Sequence, residues 1–227
     1  MTIFVPAVGS GTPTGVAGVY DYNSLKQAIQ DWFARSDVGG YIDYFIQKAE
    51  AKIYRDIFAM NQGKGVRDIE SSLSATIANG VVTLPTGYLG IKYALIAAGG
   101  NTYELQRRNA EFIYTQYPNR NPDSVPAYIA RDGLNFVFGP YPDAGYSISG
   151  IYWQRSPQLT SVNSVTWMTN VIPTILLAAC NAAVARFLKD AAAQQLWDAE
   201  YTSEMADYLL ADRAEEQSGS AFAMVAG

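Results

Sequence analysis

Residues 128–138 read YIARDGLNFVF, and this stretch decides the fold of the chain. Two apolar-rich runs flank Asp132-Gly133, and an Asp-Gly pair between such runs is the strongest short-range signal for a β-hairpin. Two prolines follow within residues 139–145, where they withhold backbone donors and fix φ, so the second strand must end there. Large and small residues then alternate over 146–153, which predicts a third, half-buried strand.

A second turn signal lies on the amino-terminal side of this stretch. Asn79-Gly80 separates the runs 67–77 and 81–84, and the same turn chemistry predicts a second hairpin. Between the two hairpins, residues 91–98 fit either a buried strand or a short helix, and the Gly-Gly-Asn turn that follows favours the strand. The middle of the chain is therefore predicted to be a β region.

Helical periodicity flanks the β region on both sides. Ser24 followed by Gln27 predicts a capping-box start of a first helix, and a second helix is predicted over about 41–58. Helix returns after Ser164, with a broad, small-residue-rich apolar face, and a final helix is predicted over about 192–216. The segments on both sides of the β region are therefore predicted to be helical.

These elements predict an α+β protein in which the N- and C-terminal helices form a bundle and an antiparallel β domain is inserted between them. Residues 1–20 carry no charge and little apolar bulk, so a flexible arm is expected there. The predicted divisions are a flexible N-terminal arm at 1–20, a helical domain at 21–62 and 165–216, a β domain at 63–164 and a flexible C-terminal tail at 217–227.

The amino-acid composition excludes many classes of enzyme. The 227 residues include one cysteine and no histidine, which removes disulfide frameworks, multi-cysteine zinc sites and the commonest general base. Cys180 lies on an apolar helix face and is interpreted as a core residue. Asp132 and Asp143 are candidate paired carboxylates, but ordinary turn chemistry explains both. No catalytic, cofactor-binding or metal-binding residue is therefore predicted.

No apolar run approaches the roughly 20 residues that cross a bilayer. The first residues also lack the basic region of a signal peptide, so the protein is predicted to be made in the cytoplasm without a membrane partner. The formal net charge of −5 argues against a protein that grips nucleic acid through its phosphates.

The negative charge is concentrated near the carboxyl end. From Asp190 onward Arg213 is the one basic residue, against a set of acids that consists of Asp190, Asp198, Glu200, Glu204, Asp207, Asp212, Glu215 and Glu216. A solvated helix face is the simplest interpretation of such a run, and an electrostatic function is the alternative.

Aromatic residues leave a competing function open. Tyr141, Tyr146, Tyr152 and Trp153 are candidates for stacking on sugars, which keeps a carbohydrate-binding module as an alternative. Aromatics at alternate positions of a strand are more often core residues. The sugar-binding interpretation predicts that these side chains are exposed, and the core interpretation predicts that they are buried.

Five segments in a fixed order carry a family resemblance. They are residues 22–37, 44–55, 84–89, 126–128 with 138–146, and 152–153 with 157–159, followed by a small-residue helix and an acidic helix that carries Trp197. In this order they resemble the head-to-tail adaptor (connector) proteins of tailed bacteriophages, especially those of short-tailed phages. The similarity covers about residues 20–215.

The resemblance implies a structural virion component without enzymatic activity or a cofactor. Such a protein is expected to be made in the host cytoplasm, to form a homo-oligomeric ring, commonly a dodecamer, to dock on the portal protein and to receive the tail tube or nozzle protein. A carbohydrate-binding or receptor-binding tail module is the alternative function.

The resemblance also suggests roles for two sets of residues. An acidic wall suits a duct through which double-stranded genome DNA passes without specific binding, and the expected duct-lining residues are Glu204, Asp207, Glu215 and Glu216. The tail alternates large and small residues, as does a strand that adds to the edge of a partner. Its expected portal contacts are Phe222, Met224 and Val225.

Overall fold

The computed structural model describes residues 18–34 and 37–218. Most of the predicted N-terminal arm, residues 1–17, lies outside these ranges, and so does the C-terminal segment with Phe222, Met224 and Val225. Within the described ranges, six α-helices and two four-stranded sheets form an α+β fold, with the sheets inserted between helical ends. The predicted fold class is confirmed.

The four helical segments predicted from periodicity are helical, with small shifts at their ends, although the segment after Ser164 forms two helices and not one. The helices are α1 (Tyr22–Phe33), α2 (Ile42–Met60), α3 (Ala110–Gln116), α4 (Trp167–Val171), α5 (Pro173–Phe187) and α6 (Ala191–Ser218). The strands are β1 (Glu70–Thr76), β2 (Val81–Thr83), β3 (Tyr88–Ala98), β4 (Asn101–Glu104), β5 (Gln106–Arg107), β6 (Tyr128–Asp132), β7 (Asn135–Gly139) and β8 (Ser147–Gln154).

The chain divides into two compact units. The helical unit runs to Ile53 and resumes over Gln158–Met205, and the β-containing unit comprises Tyr54–Pro157 together with the chain from Ala206. The divisions fall inside α2 and α6, whereas the predicted domain boundaries follow the ends of helices. The predicted boundaries stay a prediction.

The start of α1 corrects one detail of the sequence analysis. Asp21, not Ser24, is the N-cap: its Oδ1 accepts a hydrogen bond from the backbone N–H of Ser24 at 2.7 Å. The Ser24 hydroxyl oxygen in turn accepts from the N–H of Asp21 at 2.9 Å, which completes a capping box. Asp21 is well suited to the N-cap, because its carboxylate accepts a hydrogen bond at the start of the helix and also interacts favourably with the helix dipole.

The core of the helical unit is built from the predicted apolar stripes. On α2 the stripe is almost completely buried and consists of Ile42, Phe45, Ile46, Ala49 and Ile53. On α5 the buried face extends around most of the helix, from Ile175 to Ala185. Small residues such as Ala178, Ala179 and Ala182 permit close approach on more than one side, as the broad apolar face predicted.

The two sheets of the β-containing unit have different strand orders. The first sheet has the order β1-β8-β3-β4 and is antiparallel throughout; the second has the order β2-β7-β6-β5, in which β5 and β6 are parallel. The hairpin predicted at Asp132-Gly133 is β6–β7, with Asp132 paired to Asn135. Side chains of both sheets form one shared apolar core that includes Leu73, Ile96 and Phe136.

The prediction of a hairpin around Asn79-Gly80 is wrong. The turn exists, but β1 pairs with β8 in the first sheet and β2 pairs with β7 in the second, so the chain changes sheets there. All seven residues of β1 find partners along β8, whereas β2 offers three. The longer pairing, together with burial of Leu73 and Val82 in the shared core, outweighs the local turn preference.

Gly150 lies where the backbone of the neighbouring strand leaves no room for a side chain. A Cβ at this position of the central strand β8 would lie 2.2 Å from the carbonyl oxygen of Tyr93 on β3, and backbone atoms cannot rotate aside. We expect Gly150→Ala to lower the free energy of unfolding by about 3 kcal/mol, measured by urea denaturation.

Gly145→Ala is the matched control for this prediction. Its added Cβ would meet its nearest neighbour at 3.8 Å, an ordinary contact, so a change of less than about 1 kcal/mol is expected. Equal unfolding midpoints for the two variants would contradict the assignment of strain to Gly150.

Candidate interaction surfaces

The four acids predicted to line a duct occupy different environments on α6. Glu204 belongs to the helical unit and is half-buried, and its Oε2 atom has no hydrogen-bond partner among the described residues. Asp207, Glu215 and Glu216 belong to the β-containing unit and are exposed. The sequence pattern thus identified a charged helix but not the exposure of each carboxylate.

Two of these carboxylates have cations of the same chain beside them. Arg67 Nη2 lies 2.6 Å from Glu215 Oε2, and its Nε lies 3.1 Å from Oδ1 of the buried Asp212. Lys92 Nζ lies 2.7 Å from Glu70 Oε1 and 3.9 Å from Glu216 Oε1. The negative field of Glu215 and Glu216 is therefore partly compensated within the chain. Among the described residues, Asp207 makes no such ion pair.

Three further contacts attach the end of α6 to residues 60–68 of the same unit. Tyr208 donates its hydroxyl proton to Asp68 Oδ2 at 2.7 Å, and burial together with this carboxylate raises the pKa of Tyr208. Arg213 donates from Nε to Asn61 Oδ1 at 2.8 Å and from Nη2 to the carbonyl oxygen of Met60 at 2.7 Å. Charged and neutral hydrogen bonds thus fix this part of α6 in place.

Burial or hydrogen bonding accounts for each of the residues considered for a catalytic role. Cys180 is completely buried, and burial raises the pKa of its thiol, so the reactive thiolate is disfavoured at neutral pH. Asp132 accepts a hydrogen bond from the hydroxyl of Tyr114 at 2.7 Å, and Asp143 accepts from that of Tyr146 at 2.6 Å. Among the described residues, no three His, Cys, Asp or Glu side chains lie together as a metal site would require.

Two of the four aromatic residues considered for sugar stacking are buried. Tyr152 and Trp153 are each 5% exposed, and Trp153 packs edge-on against Phe58 with ring centroids 5.8 Å apart. Tyr141 and Tyr146 are half-buried. The core interpretation therefore holds for the pair on β8, and the carbohydrate-binding alternative loses half of its candidate residues.

The helical unit exposes other aromatic side chains instead. Trp32 is 62% exposed although the periodicity places it on the apolar face of α1, and its ring meets Trp197 edge-on at 4.9 Å. Tyr41, just before α2, Tyr44, in the first turn of α2, and Phe187, at the end of α5, are each at least half exposed. Exposed aromatics of this number are typical of protein interaction surfaces.

The first sheet presents a second kind of surface, because its outer strands β1 and β4 are edges. All four residues of β4 are exposed, so this strand buries none of its side chains within the described residues. Three of the seven residues of β1 are exposed as well. Sequence patterns could not have found these edges, because they depend on the order of the strands.

The fold combines helical ends with two inserted sheets, and it leaves aromatic side chains and sheet edges exposed. In the comparison with family models, the model described as SU10 adaptor protein matches residues 20–224. The chain therefore belongs to the SU10 adaptor protein family, a family of bacteriophage head-to-tail adaptors, as the resemblance predicted. A search of curated proteins gave no match. Within the described ranges, no helix combines the length and apolar character needed to span a membrane.

Proposed function

We propose that this phage adaptor protein forms a ring, expected to be a dodecamer, that docks on the portal protein and receives the tail tube or nozzle protein. The ring encloses a duct for genome DNA, resides in the virion and carries out no catalytic step. The family match over residues 20–224 is the observation that carries this proposal. The exposed aromatics of the helical unit support it, because a ring subunit must bury two lateral surfaces against its neighbours.

Electron microscopy of the purified protein, alone and mixed with heads that lack it, tests the proposal. A closed ring, either free or seated on the portal, is the expected result. A protein that stays monomeric and leaves the portal bare under both conditions would refute the ring. Binding to host polysaccharide instead would favour the receptor-binding alternative.

The duct proposal relies on negative charge that is not compensated within the subunit. We propose Glu204, Asp207, Glu215 and Glu216 as lining residues, and Asp207 is the most informative of them because it is exposed and makes no ion pair among the described residues. DNA slides past an acidic wall because its phosphates are repelled and no counterions are released on contact.

Replacing Asp207 by Lys should slow genome ejection, since a cation on the wall attracts each passing phosphate. The measurement is the rate of DNA release from particles assembled with the variant. Glu111→Lys is the matched control, because it makes the same change in charge at an exposed position on α3. Equal ejection rates for the two variants would remove Asp207 from the duct.

We also propose that the C-terminal segment contacts the portal through Phe222, Met224 and Val225. These residues lie outside the described ranges, and their spacing in the sequence supports an extended segment that inserts side chains into a partner. In the sequence this segment follows directly after α6, which continues to Ser218 and is anchored to its own unit through Arg213.

A chain that ends after Ser218 should therefore keep its helix content, measured by circular dichroism, but fail to attach to DNA-filled heads. The double variant Phe222→Ser with Met224→Ser serves as a second test that keeps the length of the chain. Attachment at the normal level by both variants would show that the segment makes no essential contact.

A further inference from the structure

The two edges of the first sheet have unused hydrogen-bonding groups. Leu105 N–H donates to the carbonyl of Ala94 at 2.8 Å, and Ile77 N–H donates to the carbonyl of Tyr146 at 2.8 Å. In an antiparallel pair, residues alternate between facing the partner strand and facing away from it. Counting from these two bonds, the backbone groups of Thr102 and Glu104 on β4 face outward.

The same count applies to β1, where the backbone groups of Ser72, Ser74 and Thr76 face outward. No hydrogen bond occupies these groups among the described residues. The usual protection of a free edge is also missing, because β1 contains no lysine, proline or bulge and has one charged residue, at its first position. An unprotected edge of seven residues favours pairing with another strand.

The outward-facing groups of the two edges lie at matching levels of the sheet. Following the register across all four strands, Glu104 is aligned through Leu95 and Ser149 with Ser74. Thr102 is aligned in the same way, through Ala97 and Ser147, with Thr76. A second copy placed beside the first without any shift along the strands therefore brings outward donors and acceptors face to face.

The strand directions match as well. The first sheet has four strands and is antiparallel throughout, so β1 and β4 run in opposite directions. When β4 of one copy meets β1 of an identically oriented copy, the new pair is again antiparallel, and its hydrogen bonds are perpendicular to the strands. Neither copy has to turn over.

We propose that β4 of each copy pairs with β1 of the next copy, so that the first sheet continues from subunit to subunit. This inference rests on the proposed ring and identifies the surfaces that close it. The two edges differ, so the contact is heterologous, which is the kind that generates rings when the rotation closes. It buries the one strand of the sheet that has no buried side chain of its own.

The side chains that meet across this contact are compatible. Thr102 faces Thr76 of the next copy, and Thr–Thr pairs are favourable across strands. Tyr103 shares the core-side face of the sheet with Ile96 yet is 51% exposed, and in the pairing its ring covers the half-buried Ala75 of the next copy. Glu104 faces Ser74, so no like charges oppose each other.

Disulfide trapping tests both the contact and its register. In the full-length double variant Thr76→Cys with Thr102→Cys, the new cysteines face each other across neighbouring copies at a Cα separation of about 5.5 Å, within disulfide range. Within one copy they lie about 14 Å apart, three strand spacings, which is too far for a bond. Native Cys180 is completely buried and stays outside the reaction. Oxidised rings should give a ladder of multimers on a denaturing gel that collapses to monomer on reduction.

Three controls fix the interpretation. Each single-cysteine variant should give no ladder, because β1 meets β4 and never another β1. The shifted pair Ser72→Cys with Thr102→Cys should also give none, since its cysteines are four residues out of register; a ladder from it alone would overturn the unshifted pairing. Closed rings in the microscope without any ladder from the Thr76 and Thr102 pair would overturn the edge contact while the ring stands. Absence of both rings and ladder would refute the ring proposal together with this inference.

A backbone substitution gives an independent readout. The N–H of Ser74 takes no part in its own sheet, so Ser74→Pro should leave the subunit folded, as proline is tolerated on sheet edges. It removes one intersubunit donor at the centre of β1 and should weaken self-association roughly tenfold or more, measured by sedimentation. Ser74→Thr keeps the N–H and should associate like the native protein. Equal association of the proline and threonine variants would overturn the proposal.

Discussion

Antiparallel pairing of β8 with both β1 and β3 is the constraint on which the β-containing unit depends. The partners of β8 come from much earlier in the chain, so folding must close long loops before these contacts form. The apolar core that the two sheets share offsets this entropic cost, because it buries side chains from strands of both. Gly150 makes the arrangement possible, since the backbone of β3 approaches it too closely for any Cβ.

Local signals in the sequence predicted what local interactions decide. The helices follow from apolar periodicity. The β6–β7 hairpin follows from Asp132-Gly133, because the two strands are adjacent in the chain and neither has a longer pairing with another strand. Asn79-Gly80 carries an equally good turn signal, yet its flanking strands separate into different sheets. The difference lies in the long-range partners and in the ring of Tyr141, which packs against Gly80. No local pattern contains that information.

The candidate surfaces show the same difference between what local patterns predict and what long-range contacts decide. The sequence identifies the acidic residues of the last helix, but a tally of charge cannot show that Arg67 and Lys92 come back from other elements to lie beside Glu215 and Glu216. It likewise places Trp32 on an apolar stripe without showing that the ring is mostly exposed. A serine-rich strand such as β1 has the same pattern at the edge of a sheet as at its centre, so open edges become visible only with the strand order.

Strand order also bears on how an adaptor meets two different partners. Backbone hydrogen bonds are the same for every sequence, so the specificity of an edge contact must come from register and from side chains such as Tyr103. When the same two edges meet at every contact, every copy has the same orientation. In the proposed ring, a surface at one end of the subunit is then repeated around one end, and a different surface is repeated around the other. A connector with a portal on one side and a tail on the other requires this polarity, and a symmetric edge-to-edge dimer, in which β1 meets β1, cannot provide it.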